Sequence, residues 1–488
     1  MQFPLSLQNL VNGQFVGQPD ASMASRNPAD QGQVLAQVPA MQVADVQAAI
    51  TAAAEALPGW KATPSVERGK LLFRVAALIR GKAEELRDLI SLEMGKTHAE
   101  AGIEVERSAE MLEFYAGIGR LPYGDLIPDR RPGVSAWTVH EPIGVVLAIT
   151  PWNDPLMVPC RKIAPALIAG NTVVLKPSPD TPAIALILAQ MFAEAGAPAG
   201  VLNTVTGDVA SWGDALTGDP RIAGVTFTGS TATGKFLRRA LVDGRARLQT
   251  EMGGKNSAVL MADADVDAAL KLLVPAIFGQ TGQRCTAVSR LLVHRSILAQ
   301  VEEKLTALAE VVQVGAASSE ASAMGPVVNE RQREKVLGLI EGAREDGAIV
   351  AYGGAALTDG PYGRGCFVKP TVLTGVTTAM RIWKEEVFGP VVAILPFDNL
   401  DQAIEMANDT EYGLAAGIFT NDLTAAHSFI ARIEAGQAVI NLPPSGWDVH
   451  QPFGGFKDSG SPFKEHGLDG LAFYTRIKTA AMNLATPR

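Results

Sequence analysis

The chain has 488 residues, 47% of them hydrophobic and 19% charged, with a formal charge of −9 and only three, widely spaced cysteines. That length exceeds what one core supports, so two or three domains are expected. The acidic balance, with no basic cluster, excludes nucleic acid and anionic membrane as partners, and no apolar run is long enough to span a bilayer. Met1-Gln2-Phe3-Pro4-Leu5 lacks the basic-then-apolar order of a secretory leader, and Cys160, Cys285 and Cys366 form no disulfide framework. A reducing cytoplasm is the expected setting. The six histidines show no His-x-x-x-His spacing, so no metal site is expected.

Asn12-Gly13 and Asn27-Pro28 mark an amino-terminal region of short strands and turns. Val46, Ile50 and Leu57 predict a helix over 43–57 that Pro58-Gly59 stops. Thr63-Pro64 predicts the cap and first residue of a second helix, with Leu71, Leu72, Val75, Leu78 and Ile79 inward and Arg68, Arg74 and Arg80 outward. A third is expected over 99–115, with Glu104, Glu106 and Glu110 on a solvated face. From Gly144 strands and helices alternate. Val145–Ile149, Thr172–Leu175, Val201–Val205 and Val225–Phe227 read as strands, with helices between them, the first closed by Gly170 and the next over 182–195. This order predicts a parallel sheet covered on both faces, with ligands at the carboxyl ends of its strands. A second α/β series is expected over 255–438, with strands near 291–293 and 391–395 and helices over 297–311 and 329–345. The segments 122–142 and 471–481 alternate in strand fashion outside both series, and predict an extension that pairs with another subunit.

The chemistry-bearing residues lie in the loops after these strands. Asn153, in Thr150-Pro151-Trp152-Asn153, is either a turn former or an amide donor for a developing oxyanion. Lys176-Pro177-Ser178 places one cation at a strand end. Gly229-Ser230 opens a helix, where free N–H groups suit an anion such as a pyrophosphate. Gly229 to Lys235 nearly spells a phosphate-binding P-loop of a nucleotide hydrolase, but Phe236 stands where the motif needs Ser or Thr, which weakens that alternative. Glu251, before Gly253-Gly254, is a general base only if it meets a nucleophile in space. Cys285 taken alone reads first as a small buried thiol, and as that nucleophile only in the company of other residues.

Seven segments in order resemble the aldehyde dehydrogenase superfamily along essentially the whole chain. They are Pro151-Trp152-Asn153, Lys176-Pro177-Ser178, Phe227-Thr228-Gly229-Ser230, Glu251-Met252-Gly253-Gly254-Lys255, Gly282-Gln283-Arg284-Cys285, Glu385-Glu386-Val387-Phe388-Gly389-Pro390 and Pro452-Phe453-Gly454-Gly455. The resemblance implies an α/β fold of three parts. An NAD(P)-binding domain with a parallel sheet would span 1–121 and 143–253, and an α/β catalytic domain 254–457. A β-strand oligomerisation arm over 122–142 and 458–488 would build homodimers or homotetramers. By similarity, Cys285 attacks the aldehyde, Asn153 and the Cys285 backbone N–H hold the oxyanion, hydride passes to NAD or NADP, and Glu251 activates the water that hydrolyses the thioester. Glu465 matches a second family glutamate assigned to proton relay. The cofactor would meet Ile149, Thr150, Trp152, Lys176, Ser178, Gly229, Ser230, Gly253, Glu386 and Phe388.

Pro179 stands where many NAD-preferring members carry a glutamate that repels a 2′-phosphate. With Asp180 next door, both NAD and NADP stay open. The runs Val439–Gly455 and Thr281–Ala287 look most like the α-ketoglutaric semialdehyde dehydrogenase branch. Arg161 occupies a place where succinic semialdehyde dehydrogenases bind a distal carboxylate, but Gly279 replaces their second arginine, so Arg161 reads as substrate-binding or structural. Arg284 and Thr286 flank the nucleophile as further substrate contacts. Trp447 offers an aromatic wall that favours an aromatic or medium-chain aliphatic aldehyde instead. A CoA-acylating enzyme is a further alternative, disfavoured because that chemistry needs no Glu251.

Overall fold

The computed structural model describes residues 2–17, 22–121, 124–207 and 209–483. Its architecture is α/β, with two large sheets whose strands come from the two predicted series. The first sheet is all parallel, in the order Leu202–Thr204, Thr172–Lys176, Val145–Ile149, Ile222–Thr228, Arg247–Glu251. Its side chains alternate between two buried layers. Val146 and Ala148 pack into one cluster with the helices Ser65–Gly81, His98–Ile118 and Met157–Ala169, whereas Val145, Leu147 and Ile149 pack into another with Val46 and Ile50 of the helix Val43–Ala62. Burial on both faces is why these strands read as unbroken apolar runs. Strand order reverses beside Val145–Ile149, so the loop carrying Asn153 leaves the sheet at a switch point.

The second sheet has seven strands, in the order Ile349–Tyr352, Thr371–Thr374, Val391–Phe397, Val288–His294, Asn256–Leu260, Ala415–Phe419, Gln437–Ile440. Only the first pair is antiparallel. Outside both sheets, Val134–Pro142 pairs antiparallel with Thr475–Asn483 over nine residue pairs, with Leu126–Ile127 on its other side. The arm strand begins at Thr475, because Leu471–Tyr474 form a helical turn rather than the strand their alternation predicts. Phe473 and Tyr474 are buried against the first domain's core.

Several local expectations give way to tertiary packing. Pro58-Gly59 does not stop the first helix, which runs to Ala62. Trp60 there is buried and donates from its indole N–H to Leu167 O, so packing outweighs the proline. The Thr63 hydroxyl does not cap the next helix, which starts at Ser65; it donates back to Gly59 O. The helix Ala83–Met94, closed by left-handed Gly95, lies between the second and third expected helices, in a stretch with no expected element. Two charges expected in water are buried. Arg68 donates to Ile168 O and Thr63 O, and Glu104 is 4% exposed against the Lys96 ammonium.

Candidate active site

The site is assembled from loops at the ends of both sheets. Cys285 follows a turn, Gly279–Gly282, in which Gln280, Thr281 and Gly282 all adopt positive φ (53°, 59° and 64°). Left-handed backbone at two residues with side chains persists only where the surroundings over-determine it. Here Gln280 is locked by its backbone N–H on Glu100 Oε1 and by its side-chain amide on Asn153 O (2.5 Å) and Asp154 Oδ1 (3.0 Å). The Gly282 position has room only for hydrogen, since a Cβ would sit 2.1 Å from Gly389 O. The Asn153 amide donates to Gln283 O at 3.1 Å, so the expected oxyanion donor is fixed to the loop that carries Cys285.

A cavity of about 440 Å³ reaches from the Thr228-Gly229-Ser230 turn to Cys285. Trp152, Glu386, Phe388 and Gly253 line its cofactor-side wall, and Asn153, Arg161, Arg284, Thr286 and Trp447 line it around the thiol. Trp152 and Phe388 meet edge to face, with ring centres 5.3 Å apart. Glu386 Oε1 accepts from Gly254 N–H at 2.9 Å. Ser230 caps the helix Thr231–Ala240 through Thr233 N–H. Ile149, Thr150, Lys176 and Ser178 lie off this wall, at the ends of neighbouring strands: Thr150 N–H donates to Lys176 O, and the Ser178 hydroxyl accepts from Asp180 N–H. Lys235, the lysine of the near P-loop, is ion-paired to Asp458 at 2.7 Å, which further weakens the phosphate-hydrolase alternative.

Glu251 and Glu465 also lie behind the wall. Glu251 is 2% exposed, and neither carboxylate oxygen has a hydrogen-bond partner. Burial, and then the charge of Glu465, push its pKa well above the ordinary carboxylate range. Glu465 behaves oppositely. Burial opposes its charge, but Arg161 (Nε to Oε2, 2.7 Å) and Lys162 (Nζ to Oε1, 2.5 Å) outweigh it and hold it ionised. Cys285 is half-buried and packs with Trp447 against Leu414, Ala415 and Phe453. Burial raises its thiol to about 12 although Arg161 pulls the other way.

A third layer is absent from the sequence reading. Lys96 sits 2.7 Å from Glu104 Oε2 and 2.8 Å from Asp154 Oδ1, while Glu104 Oε1 accepts from Leu156 and Met157 N–H. The carboxylate thus caps the helix Met157–Ala169 and anchors the loop that carries Asn153. One signal for this region is readable in sequence: Thr97-x-x-Glu100 is a capping box, present in the structure, whose Glu100 also reaches Gln280 and Arg284. Nothing in sequence marks Glu104 among its neighbouring acids. Among the described residues there is no cluster able to hold a metal ion, and no helix is long and apolar enough to cross a membrane.

The family model described as "Aldehyde dehydrogenase family" matches residues 15–480. An α-ketoglutaric semialdehyde dehydrogenase of Bacillus subtilis is 39% identical over 96% of this chain and 97% of its own. A 2,5-dioxopentanoate dehydrogenase of Saccharolobus solfataricus is 41% identical over 93% and 94%. Among solved structures, the NAD+ complex of a Bacillus cereus aldehyde dehydrogenase superposes with a TM-score of 0.94 at 38% identity, covering 98% of this chain and 97% of that one. The betaine aldehyde dehydrogenase of Staphylococcus aureus with NAD+ gives 0.96 at 32%, covering 99% and 96%. With a cysteine and an amide lining one cavity, a buried carboxylate behind its wall, and these matches over nearly the whole chain, this protein belongs to the aldehyde dehydrogenase family.

Proposed function

We propose that the enzyme oxidises α-ketoglutaric semialdehyde to the dicarboxylic acid, using a nicotinamide dinucleotide as hydride acceptor. The observation that carries the substrate is the pairing of Cys285 with two arginines, Arg161 and Arg284, on one cavity wall. The names of the Bacillus subtilis and Saccharolobus solfataricus relatives support it. In this reading the aldehyde end lies at Cys285 and Asn153, and the keto-acid end faces the guanidinium groups. Arg161 keeps its charge because Glu465 neutralises it in part without removing it from the wall.

The lining fits the cofactor's reactive end. The Gly229-Ser230 turn leaves helix N–H groups for a pyrophosphate, and Trp152 and Phe388 offer an apolar wall for a flat ring. Glu386 would take ribose hydroxyls. Lys176 and Ser178 would hold the adenosine ribose, with Ile149 and Thr150 beside it. When bound, the nicotinamide supplies a two-electron hydride acceptor. The chain's residues do the rest. Cys285 first gives up its proton to solvent; the thiolate Sγ then bonds to the carbonyl carbon, and the oxygen takes up the negative charge against the Asn153 amide. Loss of hydride restores the carbonyl as a thioester. Glu251 then rotates toward the thioester and removes a proton from water; the hydroxide oxygen bonds to carbon, and Cys285 leaves as thiolate. Its partnerless carboxylate has no hydrogen bond to break on turning. Glu465 holds Arg161 and Lys162 beside that proton path.

We further propose a cytoplasmic homo-oligomer built through the arm. Leu126, Ile477 and Met482 there are 87%, 67% and 47% exposed, an apolar surface that suits a second copy. Light scattering giving the monomer mass at micromolar concentration would rule this out.

The deciding assay compares α-ketoglutaric semialdehyde, succinic semialdehyde, benzaldehyde and pentanal, with NAD and NADP separately and without CoA. The expected result is a free acid product and a kcat/KM for the keto-acid semialdehyde at least ~10-fold above pentanal, as charge-assisted recognition of a carboxylate requires. Equal or better turnover of pentanal or benzaldehyde refutes the substrate and favours the Trp447 wall. A Cys285→Ala variant that still turned over would refute the chemistry.

A further inference from the structure

We infer that Gln280 is a positioning residue for the reaction: its side-chain amide, by closing a ring of hydrogen bonds, aims the Asn153 N–H at the oxygen of the carbonyl attacked by Cys285. The inference rests on the proposed roles of Cys285 and Asn153 and goes beyond them to a cavity-lining residue whose amide is committed to the neighbouring loops.

The ring has three links. Gln280 Nε2 donates to Asn153 O at 2.5 Å, Asn153 Nδ2 donates to Gln283 O at 3.1 Å, and Gln283 N–H donates to Gln280 O at 3.0 Å. All three residues are at most 5% exposed, so water does not compete for these groups. A primary amide has two N–H groups. With one of the Asn153 pair committed to Gln283 O, the amide plane is set, and the second N–H points along a fixed direction. In the resting site that second N–H donates to Asp154 Oδ2 at 3.3 Å, a long hydrogen bond that an oxyanion would replace. Gln280 also restrains that carboxylate, since Nε2 donates to Asp154 Oδ1 at 3.0 Å while Lys96 holds the same oxygen at 2.8 Å. With Oδ1 held by Gln280 and Lys96, Asp154 cannot swing closer to strengthen the long bond from Asn153, and an oxyanion competes with Oδ2 for that N–H.

The backbone is built to keep Gln280 in place. Its φ of 53° is a conformation that side chains rarely adopt, and Thr281 repeats it. Arg284 Nε donates to Gln280 Oε1 at 2.9 Å, which fixes which end of the amide carries the donors. Gln280 therefore bridges the Asn153 loop of the first sheet to the Cys285 loop of the second. If either loop drifted by a fraction of an ångström, thiol and amide would no longer converge on one carbonyl.

A double-mutant cycle on the full-length enzyme tests this, with Gln280→Leu, Asn153→Ala and the double variant measured by single-turnover appearance of reduced nicotinamide at saturating aldehyde and cofactor. Asn153→Ala is expected to slow the first turnover by ~100-fold and Gln280→Leu by ~10-fold, while Gln280→Leu has no further effect in the Asn153→Ala background. Alkylation of Cys285 by iodoacetamide needs no oxyanion donor and is expected to stay at the wild-type rate in Gln280→Leu. Gln280→Glu provides a second variant of native size; its carboxylate faces Asn153 O and Asp154, and its defect is expected to shrink as pH falls and the added carboxyl becomes a donor. Equal fold-losses from Gln280→Leu in both backgrounds, or a parallel fall in alkylation, would overturn the assignment while leaving the role of Asn153 intact. A wild-type rate in Asn153→Ala would instead overturn the reading on which it rests, and the inference with it.

Discussion

Arg161 Nε lies 2.7 Å from Glu465 Oε2, with both side chains less than 5% exposed. The cavity-lining arginine is therefore also one half of a buried ion pair, and Lys162 makes the same glutamate a double counter-ion. In the proposed function, structure and substrate recognition share one charge.

This sharing predicts a mixed phenotype for Glu465→Gln. Two buried cations would lose their anion, and breaking such a pair costs about 3 kcal/mol or more. The urea midpoint should fall accordingly. Glu251 would lose the negative neighbour that, after burial, raises its pKa most. A raised carboxyl pKa means the base form is scarce below it, so removing that neighbour moves the acid limb of the hydrolysis pH profile to lower pH. An unmoved acid limb would refute the electrostatic link between the two glutamates.

Cys285 gives a pH prediction with the sign set by burial. With the thiol near 12 in the resting protein, the thiolate is a minor species throughout the ordinary range. Its fraction grows about tenfold per pH unit below the pKa. Iodoacetamide alkylation without cofactor should therefore rise steadily from pH 7 to pH 10. A plateau within that range would show that a charge near the thiol lowers it far more than Arg161 does here.

Lys96 and Glu104 should behave as one unit. Lys96→Met leaves two buried carboxylates, Glu104 and Asp154, without their cation, for a loss of about 3 kcal/mol or more, whereas Glu104→Gln leaves Lys96 still paired with Asp154 and should cost less. The double variant should lose less than the sum by more than about 1 kcal/mol. Denaturant melts of the four proteins measure this, and strict additivity would contradict the pairing.

Two glycine substitutions should have opposite signs. At Gly282 the backbone has φ +64°, and a Cβ would lie 2.1 Å from Gly389 O, so Gly282→Ala should lose about 3 kcal/mol or more and slow Cys285 alkylation by shifting its loop. Gly59 is exposed within a helix with nothing near its Cβ direction, so Gly59→Ala should gain up to about 1 kcal/mol. Thermal melts of both variants check the contrast.

The sequence alone determined the α/β class and four of the five strands of the first sheet, and it named the residues proposed to act with Cys285. Those features rest on short-range signals: unbroken apolar runs of strand length, and small motifs whose order along the chain is itself informative. Val145–Ile149 and Thr172–Lys176 fall where their apolar runs predicted. Tertiary structure decided the state of the charges. Glu104 and Arg68 carry the same local pattern as the exposed Glu106 and Arg80, and only the chain packed above them makes the difference. Pro58 likewise is a stop signal locally, and Trp60 overrides it by burying its indole against Leu167. The ring through Asn153, Gln280 and Gln283 joins positions 127 and 130 residues apart. No periodicity reaches that far; only when the two sheets meet do an amide, a glutamine and a thiol become one site.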